Sequence, residues 1–504
     1  MKYGFLFGAG AEAGYGLPSG GEFALEIFRR DQSNSKNNFK EMRNKVDSMT
    51  TYANSWLPKD YKDKNISCFG KSVFLNIIKD TVEHNRNSII GKLNNFDTIA
   101  EKVVRSMANE GVFVKETIEQ LLGRNIGNIH YGQDISFIDE FKQGNELFNS
   151  SYFSALLMLY KNKKLDTQNQ RNELGKILIS IIQLHIGALS ENLTRKINDG
   201  VFEKKDDEID LFDDLGEIIQ LNYSAAGLQG MEYLLEQRID ECETESGVCL
   251  SFAQRIIREI YSVVLDYKSL IDANWHYLYS PSSDWAKFCK ICIFLLNVRD
   301  YITEMAETVE IGERRGYYHM VKEAADSGKF ELSAVATTNY NNFIEEILDT
   351  EIAYLNGSTE IWYDPYLNRM GSREELDTDE HHILVPLLFT QSGTKPMTAI
   401  EMSEKYVETY HKWKEADKIV VVGFGFGVDD EHINGILRTL IDRYDKKIVV
   451  ITLKSNKLNK ECADEISIKL KIEKKTNISV VQVDKDGMLD NGGGESWVDF
   501  LDVN

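Results

Sequence analysis

The apolar positions of this chain fall into two patterns. Short runs, apolar on both faces and mostly rich in Val and Ile, occur at residues 3–7, 331–336, 351–355, 383–388, 418–423, 447–452 and 478–483. Runs of that length predict strands of a parallel sheet covered by helices on both sides. Helical periodicity over 398–415 and 432–444 separates the later runs, so strand and helix alternate. That alternation predicts a doubly wound α/β sheet. From roughly 95 to 328 the period is helical instead, over 151–160, 172–197, 230–242, 251–269, 284–310 and 317–327. The pattern predicts a sheet domain built from residues 1–94 and 329–504, interrupted by a large inserted α-helical domain at 95–328. Residues 31–94 are less regular. Residues 31–38 read as a loop and 71–85 as a short helix, and the stretch fits either a lid over the first turn or part of the insertion.

Composition narrows the class. A chain of 504 residues exceeds one ordinary hydrophobic core. Its 42% hydrophobic and 11% aromatic content is that of a folded protein rather than a disordered one. A net charge of −22 without a basic stripe argues against direct nucleic-acid binding, which needs clustered Lys and Arg. No apolar run approaches the roughly 20 residues of a membrane-spanning helix. The N-terminus lacks the features of a secretory signal, and the six cysteines are scattered, as in a reducing compartment. These features lead us to expect a cytoplasmic protein with no membrane contact. Cys289-Lys-Ile-Cys292 has the spacing of half a zinc site, but it lies in an apolar helical run without a second pair. It reads as two core cysteines, and no metal is expected.

The densest local signal follows the first strand: Gly8-Ala9-Gly10-Ala-Glu12-Ala-Gly14-Tyr-Gly16-Leu-Pro18. A glycine-rich turn between a buried strand and a helix is how a Rossmann-like sheet presents backbone amides to a pyrophosphate. The spacing departs from G-x-G-x-x-G, so this turn alone decides little. Three later strand ends carry matching polar turns. They are Thr337-Thr338-Asn339-Tyr340, Leu355-Asn356-Gly357-Ser358 and Gly423-Phe424-Gly-Phe-Gly427-Val-Asp-Asp430-Glu-His432-Ile-Asn434. Ligands of open α/β sheets bind at such carboxyl ends. Asp429 and Asp430 are also suited to cap the helix that follows. Trp362 and Tyr363 read as core residues before they read as stacking residues.

In this order the four motifs resemble the sirtuin-like NAD-hydrolase family of bacterial antiphage defence systems. The resemblance covers about residues 1–30 and 331–445 and leaves out the helical middle. It implies NAD as substrate, bound by Gly8, Ala9, Gly10, Pro18, Thr338, Tyr340, Gly423, Phe424 and Asp430. Asn339 matches the family asparagine that positions the nicotinamide ribose and the attacking water. The implied reaction releases nicotinamide and ADP-ribose through an oxocarbenium-like state, in a gated NAD-depleting effector acting by abortive infection. The implied partners are further copies of the chain and a helicase-like ATPase or another defence partner.

Two positions depart from the family pattern. Glu12 stands where a serine is usual, and Asn356 stands where the general-base histidine is usual. An asparagine side chain cannot take up a proton. Glu12, His381, His382 and His432 are the candidates to replace that base, with Glu12 first because it lies in the turn. The His381-His382 pair precedes a strand and reads as solvent-facing; His432 reads as a packing or capping residue. Late capture of water without a strong base is a second route. A third reading is a sensor or assembly subunit that binds NAD or ADP-ribose without cleaving it. Protein deacetylation is disfavoured, because the zinc ribbon of those enzymes needs two C-x-x-C pairs.

Overall fold

The computed structural model describes residues 1–12, 15–17, 21–70, 82, 85–129, 146–189, 209–210, 220–221, 227–236, 242–262, 267–309, 315–388, 395–454, 457–484, 487–489 and 496–501. The chain forms two compact units. The first comprises Met1–Ser19, Asp31–Phe69 and Lys268–Asn504, and the second Gly20–Arg30 and Gly70–Tyr267.

The first unit is an α/β sheet. Its strands are β1 (Lys2–Phe7), β2 (Glu331–Thr337), β3 (Ile352–Tyr354), β4 (Trp362–Asp364), β5 (Arg369–Gly371), β6 (Val385–Pro386), β7 (Lys418–Val422), β8 (Lys447–Leu453) and β9 (Ile478–Val483). Its main helices are α1 (Ser33–Lys45), α2 (Trp285–Glu307), α3 (Tyr317–Asp326), α4 (Phe343–Leu348), α5 (Ile400–Glu415), α6 (Glu431–Tyr444) and α7 (Asn459–Leu470). Six strands pair in parallel in the order β9-β8-β7-β1-β2-β3. Counted along the chain, that order is 3-2-1-4-5-6 read from the β3 edge.

The predicted two-sided burial is visible residue by residue. Tyr3, Phe5, Phe7, Val420, Val422, Val449, Ile451, Val481 and Val483 point to one face, where Tyr317, Tyr318 and Val321 of α3 and Phe343 and Ile344 of α4 cover them. The alternate positions meet the other layer. A side chain at Gly4 would run into the Trp413 indole of α5, and that indole nitrogen donates to the Ala334 carbonyl at 3.4 Å.

Two predicted elements turn out differently. The run at 383–388 is buried as expected, but only Val385–Pro386 is strand. It joins β4 and β5 in a separate antiparallel sheet, a partner that apolar content alone does not reveal. The stretch 31–38 is no loop from Ser33 onward, where α1 begins. Its Ser and Asn are poor helix formers, yet Phe39 packs on Trp285 and Phe288 of α2. Ser35 also donates to Asp300 at 3.1 Å. Tertiary contact outweighs propensity here. Most of the helix expected at 71–85 lies outside the described residues.

The small sheet is pinned by a buried charge cluster. His382 is almost fully buried; its Nδ1 lies 2.7 Å from Asp364 and its Nε2 3.1 Å from Glu380. Asp364 also accepts the Tyr366 and Leu367 amides, and the Tyr52 ring lies tilted against the imidazole at 4.1 Å. Burial alone would lower the pKa of His382, but the bonds to Asp364 and Glu380 outweigh it and hold the group above its ordinary 6.5. The solvent-facing reading therefore fits His381, which is exposed on Asp377, and not His382. A raised pKa means stability that is full below about 6.5 and lost as pH rises through the folded value. We expect His382→Ala to cost about 3 kcal/mol at pH 6, the order for breaking a buried pair, and less at pH 9. Urea unfolding at the two pH values checks this; an equal deficit at both would remove the charge from the account.

The second unit is helical among its described residues, apart from a short antiparallel pair, Ile209–Asp210 with Gln220–Leu221. Its helices include Phe96–Asn109, Ser151–Lys161, Gln168–Leu189 and Glu245–Tyr261. Ser150 and Thr244 cap two of them. Arg255 grips Glu110 with both guanidinium nitrogens at 2.6 and 2.8 Å. Among the described residues no helix is long and apolar enough to cross a membrane.

Candidate active site

The strand register brings the four motifs to one level. Phe7 pairs with Thr337 on one side and Val422 on the other, and Thr337 pairs with Tyr354. Gly8, Thr338, Leu355 and Gly423 are in each case the next residue along the chain. The turns at Gly8, Thr338, Leu355 and Gly423 therefore stand side by side along the carboxyl edge of four adjacent strands. Main-chain bonds lock them. Thr338 N donates to Phe7 O at 2.9 Å, Leu355 N to Thr337 O at 2.9 Å and Thr359 N to Tyr340 O at 2.8 Å.

The glycines have a specific task. Gly8 N donates to Val422 O and Gly10 N to Gly423 O, both at 2.9 Å. A Cβ on Gly8 or Gly10 would overlap the Gly423 backbone, and one on Gly423 would overlap Gly10 and Ala11. Gly423 is also left-handed, with φ of +64°, where a Cβ is strained. The first turn thus interlocks with the fourth. Two of the amides expected to face a pyrophosphate are spent on that contact, while Ala9 stays exposed between them. Pro18 lies outside the described residues.

Beneath the turns lies a buried polar network. Glu12 is 6% exposed. Its Oε1 accepts from Tyr318 Oη at 2.9 Å and its Oε2 from Asn341 Nδ2 at 2.6 Å. Asn339 Nδ2 donates to Tyr318 Oη and to Gly8 O, each at 3.1 Å, and Asn339 N donates to Thr337 Oγ1 at 3.0 Å. Burial pushes the Glu12 carboxyl up to about 7, against the pull of Tyr318, Asn341 and Asn339.

That shift makes a stability prediction. In the unfolded chain Glu12 ionises near 4.5, so between about 4.5 and 7 only the folded state holds the proton and stability falls as pH rises. Glu12→Gln is expected to gain on wild type from pH 5 to pH 8, by up to about 3 kcal/mol at 1.36 kcal/mol per pKa unit. Thermal melting at both pH values measures it; a constant difference would show that Glu12 ionises freely.

No protein-family model, curated protein or solved structure gives a significant match to this chain.

Asn356 is buried, and its Oδ1 has no hydrogen-bond partner among the described residues. Gly357 is left-handed, and a Cβ there would collide with Leu387 O. Tyr406 of α5 donates to Leu355 O at 2.6 Å and meets His432 edge-on at 5.3 Å. Burial, with help from Lys395, lowers the His432 pKa to about 4 against Asp430 and Glu431. The imidazole is therefore neutral near pH 7. Asp430 occupies the N-cap position of α6, but its carboxylate pairs with buried Lys395 at 2.9 Å instead of capping. Phe424 is buried edge-on to Phe426 at 5.1 Å. Thr338 and Tyr340 are half-buried.

Sequence reasoning missed Tyr318, Asn341, Tyr406 and Lys395. Tyr318 comes from a segment read as part of the helical middle. Its only signal is Gly316 just ahead of Tyr317-Tyr318-His319, the glycine making room for the Tyr15 ring. Cys289 and Cys292 are buried in α2, where burial pushes the Cys289 thiol up to about 12. Among the described residues no group of three or more His, Cys, Asp or Glu side chains could hold a metal.

Proposed function

We propose that this carboxyl edge is a nucleotide site of a Rossmann-like fold, and that the chain hydrolyses NAD+ to nicotinamide and ADP-ribose. The observation that carries the reading is the register: four polar turns, distant in sequence, stand level at the point where the strand order reverses. Open α/β sheets bind dinucleotides at that point. The second, helical unit serves in this reading as an inserted domain.

Hydrolysis breaks the bond between the ribose anomeric carbon and the nicotinamide nitrogen. The bonding pair leaves with nicotinamide, water adds to the carbon, and one proton is released. Nicotinamide departs as a neutral molecule, so no acid is needed. The chain's task is to orient the ribose, exclude bulk water and admit one. Asn339 is the group assigned to the ribose and that water. Glu12 lies behind it as the buried carboxylate of the network. The resemblance to the sirtuin-like defence enzymes extends the reading to a cytoplasmic, gated, NAD-depleting effector of antiphage defence by abortive infection. It would work as an oligomer or with a helicase-like ATPase.

A second reading is a sensor that binds NAD or ADP-ribose without cleaving it. Asn356 in the place of a histidine favours it. Incubating the pure protein with NAD+, with and without candidate defence partners, separates the readings. Nicotinamide release that Asn339→Ala removes supports hydrolysis. ADP-ribose binding in calorimetry without release supports the sensor. Neither binding nor release overturns both.

A further inference from the structure

We infer that Tyr318 is a positioning residue for Asn339, relaying the demand of the Glu12 carboxylate for a proton and so fixing which end of the Asn339 carboxamide faces the ligand. The inference rests on the reading of this edge as a nucleotide site and adds a residue outside the four motifs.

The direction of each bond follows from what each atom can do. The Gly8 carbonyl can only accept, so the Asn339 nitrogen must face it at 3.1 Å. Tyr318 has one hydroxyl proton. Above about pH 7, where Glu12 is ionised, the carboxylate oxygen 2.9 Å away accepts the hydrogen bond of that proton. The tyrosine oxygen is then an acceptor, and it takes the second Asn339 N–H at 3.1 Å. Both amide protons of Asn339 are now committed. Its Oδ1 is the end left to receive a donor, such as a ribose hydroxyl or a water. The class of ligand group recognised here is therefore a hydroxyl donor, not an acceptor.

Tyr318 is held rigidly enough for this task. It is fully buried, edge-on to Phe7 at 5.0 Å and stacked on Tyr15 at 5.4 Å. Its backbone N donates to Tyr15 Oη at 3.2 Å, and that oxygen also lies 3.1 Å from His319 Nδ1. Asn341 holds the other Glu12 oxygen at 2.6 Å, so the carboxylate cannot swing away. The groups that face Glu12 are Tyr318, Asn341 and Asn339, with Tyr15 and Tyr354 close enough for their ionisation to feel its charge.

The test is Tyr318→Phe, which keeps the ring and its packing and removes only the hydroxyl. With NAD+ as substrate, kcat is expected to fall about 10–100-fold, the range for losing a bond to a charged group, with KM changed less than about threefold. Glu12→Gln should lower kcat in the same way, and the double variant should be no worse than Tyr318→Phe alone. ADP-ribose affinity by calorimetry gives a second readout, expected to drop about tenfold in a variant that still melts cooperatively, though at a lower temperature. Additive losses, or a Tyr318→Phe protein equal to wild type in turnover and binding, overturn the inference and leave the nucleotide reading standing. A wild type that neither binds ADP-ribose nor releases nicotinamide overturns both.

Discussion

Asn339→Ala is expected to release nicotinamide from NAD+ at least about 100-fold more slowly than wild type, the usual loss when one preorganised polar group at a reacting centre is removed. The side chain is buried, and its two donated bonds reach into the turn at Gly8 and to Tyr318. Truncation leaves two acceptors with one donor fewer. That costs about 1–3 kcal/mol for each group stranded, so the variant should still fold, and far-UV dichroism and melting serve as controls. Asn339→Asp is the sharper companion. It keeps the shape but brings a second carboxyl next to the Glu12 network, where like charges oppose each other. Both variants should lose turnover. Wild-type release from a folded Asn339→Ala protein would remove Asn339 from the reaction.

The second large effect is structural. Gly423→Ala is expected to cost about 3 kcal/mol. A left-handed backbone costs a residue with a Cβ about 1–2 kcal/mol, and overpacking typically adds about 1–3. Here the Cβ would strike the backbone of Gly10 and Ala11, which cannot rotate aside as a side chain would. The first and fourth turns would separate, and ADP-ribose binding should weaken with them. Gly425, two residues on, has no positive φ, and a Cβ there would meet nothing within 4 Å. Gly425→Ala should therefore stay within about 0.5 kcal/mol of wild type, as neutral surface changes do. Urea unfolding of the pair measures the contrast, and equal midpoints would show that the interlock carries no stability.

The sheet was legible because its strands are buried on both faces. Val420–Val422 and Val449–Ile451 leave no alternation for helix and strand readings to dispute. The four turns were legible because each follows a strand-like run and so falls at a carboxyl end, where ligands of open α/β sheets bind. The rest was hidden for physical reasons. Tyr318 lies on a helix whose apolar spacing is that of any core helix, and its role depends on one hydroxyl meeting Glu12 across a gap of 306 residues. His382 looked like one of two surface histidines, because its partner Asp364 lies 18 residues away. The 31–38 stretch looked like a loop, because local propensity says nothing of Phe39 finding Trp285. The glycines of the first turn suit a ligand by their spacing alone, although the fourth turn packs directly against them.

The place of β1 has a consequence for how the protein is made. It leaves the ribosome before either strand it pairs with, yet it sits in the interior of the sheet, between β2 and β7. Thr337, which pairs with Phe7, follows it by 330 residues. At about 5–20 residues per second, synthesis takes roughly 15–65 s to reach that partner. Throughout that interval Tyr3, Phe5, Leu6 and Phe7 have no sheet to join. The nascent chain therefore carries an unpaired, aggregation-prone apolar segment that a chaperone or a transient contact must shelter. The carboxyl edge of the sheet can assemble only once Val422 and the turn after it have been made.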